Sequence, residues 1–105
     1  MNQVQLVDQT AQFGPIRARV LLVESDRGRT IVHLRAEDES DVSELRHNSQ
    51  FATDGSGTTL THLVSMSGGT GTETHVAHVY DNATPNRLVL VAPTGEPAIA
   101  IDITW

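Results

Sequence analysis

A chain of 105 residues with 38% hydrophobic residues and a formal charge of −6 fits one domain of ordinary size. Acids outnumber bases 13 to 7, which argues against nucleic acid as a partner, and 4% aromatics leave no stacking platform for bases or sugars. All 7 bases are Arg and there is no Cys, which excludes a catalytic lysine, a disulfide, a thiolate nucleophile and a thiolate metal site.

Met1–Thr10 has neither the basic segment nor the apolar run of an export signal. No apolar stretch has the length of a bilayer span, so the expected location is the cytoplasm or an assembled particle, with no membrane. Asn82-Ala83-Thr84, followed by Pro85, reads as turn chemistry rather than a glycosylation site.

Apolar residues alternate along most of the chain, and period two puts alternate side chains on opposite faces of an extended strand. Val4–Val7 reads as a short edge strand, ended by Gly14-Pro15. Ile16, Ala18, Val20 and Leu22 share one face of the next strand; Leu21 and Val23 make its end apolar on both faces. A turn at Ser25-Asp26-Arg27-Gly28, of the type I plus left-handed Gly kind, returns the chain through Arg29–Ala36, giving a first hairpin. Asp41 followed by Glu44 fits a capping box and predicts one short helix near 41–48. Ala52–Gly57 reads as a flexible connection. Thr58–Ser67 and Thr70–Tyr80 form a second hairpin around Gly68-Gly69. Arg87–Val91 and Ala98–Trp105 are the last strands, the latter with Ile99, Ile101, Ile103 and Trp105 on one face. The expected fold is all-β: a single domain over 1–105, a small antiparallel sandwich or partly open barrel of about six to seven strands.

A two-residue turn at Gly68-Gly69 sets His62 opposite His75, Cβ atoms about 5 Å apart, with Glu73 two positions along on the same face. Two imidazoles and a carboxylate have the donor types of a divalent-metal site or an acid–base pair; the plainer reading is polar residues on a wet sheet face. A four-residue loop at Gly68–Gly71 separates the two histidines, and His78 has the wrong parity to join them. The acidic run from Glu37 to Glu44 lacks calcium-loop spacing, the Gly-rich stretches lack a following Lys, and no nucleophile elbow is present. Arg17, Arg19, Arg29 and Arg35 mark a basic stripe suited to a carboxylate or to pairing with the chain's own acids.

No cofactor is expected. The reading favoured is a non-enzymatic domain acting by protein–protein contact, as a homo-oligomer or a subunit or accessory of a larger viral or bacterial assembly. Trp105, Ile101 and Leu21 are its candidate interface residues. The alternative is a small-molecule-binding barrel, an isomerase, cyclase or lyase using His62 and His75.

Overall fold

The computed structural model describes residues 3–67, 74–81 and 86–104. These form eight strands and one short helix, arranged as two antiparallel sheets enclosing a common apolar core. The first sheet has five strands in the order β1 (Gln3–Phe13), β2 (Ile16–Asp26), β3 (Arg29–Ala36), β6 (His75–Tyr80), β5 (His62–Ser67). The second has three, in the order β4 (Phe51–Thr53), β7 (Arg87–Val91), β8 (Pro97–Asp102).

Two-residue turns set the register of the first three strands. Gly14 has φ +63 and precedes Pro15, so the β1–β2 turn has Gly at its first central position and proline's fixed negative φ at its second. Arg27 and Gly28 have φ +52 and +80, a type I′ turn rather than the type I form expected, because Asp26 pairs directly with Arg29.

Bulges then decide which residues face the core. β2 carries an irregularity between Val20 and Leu22, so Leu21 has no counterpart in β3 and the alternation slips by one. Ile16, Ala18, Val20 and Val23 are buried, while Leu21 and Leu22 lie half-buried on the outer side. Leu22 thus leaves the inner face that strict alternation assigned to it. β1 is longer than expected, because its polar second half keeps pairing through Phe13 after a bulge between Leu6 and Gln9.

The helix α1 (Val42–Asn48) follows a 3-10 turn at Glu39–Asp41. The expected cap at Asp41 makes no side-chain bond; Asp38 caps the preceding turn instead, accepting the Ser40 N–H at 2.9 Å. Leu45 is the buried anchor of α1, beside β5 and β6. The segment read as a connection contains β4 and an ordered turn in which Asp54 Oδ1 accepts the N–H groups of Ser56 and Thr58. Phe13, Leu34, Leu45, Leu88, Leu90 and Ile101 fill the space between the sheets.

Candidate functional site

His62 and His75 do not meet. In β5–β6, His62 faces Tyr80, Ser65 faces His78 and Met66 faces Ala77, while His75 pairs with Arg35 of β3. This register sets Val64 against Val79 and Met66 against Ala77, apolar pairs that a turn at Gly68-Gly69 would forgo. Glu73, Trp105 and the Gly68-Gly69 turn itself lie outside the described residues. Ile101 packs into the core, which removes it as a surface contact, and Leu21 sits half-buried at the β2 bulge.

His62 instead joins His78. A bulge at Leu63 breaks the parity of β5 and turns His62 to the inner face, with ring centroids 5.6 Å from His78 and 5.7 Å from Tyr80. A hydrogen-bond chain follows: His62 Nε2 to Ser65 Oγ at 2.7 Å, Ser65 Oγ to His78 Nδ1 at 2.7 Å, His78 Nε2 to Ser49 Oγ at 2.6 Å. Its direction is set at one end. The Ser49 hydroxyl donates to the Leu45 carbonyl at 2.6 Å, so Ser49 Oγ must accept from His78 Nε2–H. His78 Nδ1 is then the acceptor of the Ser65 hydroxyl, and Ser65 Oγ accepts from His62 Nε2–H.

That chain resembles a nucleophile and base in outline, but its electrostatics suit another role. His78 is fully buried; desolvation pushes its pKa down to about 4, helped by the charges of His62 and Arg46. A base so weak has little driving force near neutrality, and no carboxylate orients it. The chain instead ties the C-terminal end of α1 to β6 and β5, and among the described residues no buried side-chain polar atom is left without a partner. The Tyr80 hydroxyl adds a further tie, donating to the Gln50 carbonyl at 2.8 Å.

A second polar cluster lies on the outer side of the same sheet. His33 Nε2–H donates to Glu24 Oε1 at 2.5 Å, and His33 Nδ1 meets His75 Nε2 at 2.9 Å. Their planes lie within 17°, with centroids 5.1 Å apart, so the two imidazoles meet edge to edge through this bond. With His33 Nε2–H turned to Glu24, the proton between the facing nitrogens belongs to His75 Nε2–H, and His33 Nδ1 accepts it. Among the described residues, no group of three or more His, Cys, Asp or Glu is placed to hold a metal ion.

On one side of this cluster the outer face carries the Arg19–Arg35–His75 row, and across the cluster itself run two largely apolar rows. Direct cross-strand partners share a face, so the pairings define two rows crossing the sheet. One runs Leu6–Leu22–His33–Ala77–Met66 and the other Val4–Glu24–Ile31–Val79–Val64. Leu6 is 78% exposed, Val4 56%, Met66 50% and Val64 47%, with the bulge residue Leu63 at 43%. Each row carries one polar member, and those two, Glu24 and His33, bond to each other. Sequence reading had the apolar excess of β2 but missed Glu24 and His33; the Arg27-Gly28 turn, read as two residues, places them diagonally opposite.

The basic stripe is partly neutralised. Arg19 pairs with Asp8 at 2.8 Å, and Arg35 Nε donates to Thr74 Oγ1 at 3.2 Å. A shallow cleft between Phe51, Thr53, Thr59, Val91 and Pro93 contains no titratable side chain. Among the described residues, no helix is long and apolar enough to cross a membrane. Compared with protein-family models, with curated proteins and with solved structures, the chain finds no match.

Proposed function

We propose that this chain is a non-enzymatic β-domain that works by protein–protein contact, as a subunit or accessory of an oligomeric or larger assembly. The outer face of the five-stranded sheet is the surface that meets a neighbouring subunit. One observation carries the reading: two rows of side chains cross that face, and Val4, Leu6, Val64 and Met66 at their ends are 47% to 78% exposed. Exposed apolar side chains of this kind, grouped at each edge of the face, lose water favourably when another protein covers them. The polar groups inside the rows are already satisfied by one another, so covering Glu24 and His33 leaves neither without a bond. The small-molecule alternative rested on His62 facing His75, and those residues lie on opposite faces of the sheet.

Light scattering of the purified chain tests the proposal. The expected wild-type mass is a multiple of 11.4 kDa, falling when Leu6→Lys and Met66→Lys are combined, with unchanged circular dichroism. A wild-type chain that stays at 11.4 kDa at millimolar concentration overturns it.

A further inference from the structure

We infer that a second copy of this chain joins edge to edge along β5, in antiparallel register about a two-fold axis through Ser65. The inference rests on the contact reading above and adds an edge contact that joins the outer faces of two copies.

The two edges of the five-stranded sheet differ in kind. β1 is guarded: a bulge interrupts its ladder, Asp8 sits there with φ +51, and Gln5 is tied to the backbone of β8. Such bulges and charges keep an edge from pairing with another chain. β5 carries no charge, and its bulge at Leu63 lies near the start of the strand and leaves Val64–Ser67 in regular register. Residues 55–72 contain no Asp, Glu, Lys or Arg, and among the described residues β6 is the sole strand bonded to β5. Its Leu63, Val64 and Met66 are exposed. An uncharged, apolar edge strand is a template for one more strand.

The strand is also complementary to itself. A two-fold through Ser65 sets Val64 opposite Met66 of the second copy, within the regular part of the strand, and no like charges meet. Val64 and Met66 end the two outer rows. Each row of one copy therefore continues into the other row of the second copy, and the two outer faces become one. On the inner side Ser65 meets its own counterpart, with its hydroxyl already bonded within its own copy to His62 and His78. Such an isologous contact closes at two copies, leaving a doubled apolar face for the rest of an assembly.

Paired cysteine variants test this in a chain that has no thiol of its own. Val64→Cys and Met66→Cys are prepared separately, mixed and oxidised with diamide. The mixture is expected to form disulfide-linked dimer several-fold faster than either variant alone. Opposed positions lie within bridging distance, whereas Val64 and its own counterpart are diagonal and beyond it. If the wild type exceeds 11.4 kDa but the mixture links no faster than the single variants, the β5 pairing is wrong and the contact reading stands. If the wild type stays at 11.4 kDa, both fall.

Discussion

Gln5 and Thr104, 99 positions apart, are joined as if by a peptide group. Gln5 Oε1 accepts the Thr104 N–H at 2.8 Å and its hydroxyl at 3.0 Å, while Gln5 Nε2 donates to the Asp102 carbonyl at 2.7 Å. β1 and β8 are edge strands of different sheets, so this one amide closes the sandwich along a side where no ladder runs. Gln5→Ala should lower stability by about 1 kcal/mol and remove the exchange protection of the Thr104 amide. Hydrogen exchange read by NMR checks this; an unchanged rate at Thr104 counts against the bond.

The Arg27-Gly28 turn offers a stabilising change. Arg27 holds φ +52, where a side chain with a Cβ costs about 1 kcal/mol and Asn is better tolerated. Arg27→Asn should gain about 0.5 kcal/mol. Gly28→Ala should lose about 1 kcal/mol through the backbone alone, since a Cβ there meets nothing within 4 Å. Urea midpoints with an unchanged slope would register both; a stability loss in Arg27→Asn contradicts the turn assignment.

Legibility followed the range of the forces involved. Period two and turn residues are local, so the all-β class, the first hairpin and the helix near Val42–Asn48 could be read from the chain. The bulges at Leu21 and Leu63 could not, because an extra residue is invisible until its partner strand is known. Those two bulges turn Leu22 outward and His62 inward beside His78, and His62 and His75 part because the β5–β6 register is set by long-range pairing. His75 meets His33 only because β6 pairs with β3, a long-range choice made by buried Val76, His78 and Tyr80.

Tyr80 is the sole tyrosine, so its ionisation can be followed directly in the near-ultraviolet. Burial pushes its pKa well above the ordinary 10.0. No phenolate should therefore appear near pH 10 while the fold persists. Because the unfolded chain releases this proton first, stability should fall as pH rises above 10. Tyr80→Phe removes that dependence and leaves the Gln50 carbonyl without its donor, at a cost of about 1–2 kcal/mol. A phenolate titrating near 10 in the folded chain would contradict the burial.

His78 sets the response to acid. Its folded pKa of about 4 lies below the ordinary 6.5, so between those values the unfolded chain takes up a proton that the folded chain does not. Its contribution is complete above pH 6.5 and is lost as pH falls to about 4, amounting to about 3 kcal/mol. The geometry gives the same sign. A proton on Nδ1 forces the Ser65 oxygen to accept from both His62 and His78, and the Ser65 hydrogen loses its acceptor. Asp38 and Asp54 act in a lower window: hydrogen bonds from Ser40 and Ser56 hold them below 3.8, so their contribution fades only beneath that pH. His78→Gln should be less stable at neutral pH yet lack the loss between 6.5 and 4, since an amide does not titrate there. Urea unfolding of both chains across that range, followed by circular dichroism, decides the matter. Equal slopes in the two proteins would place the acid sensitivity elsewhere in the fold.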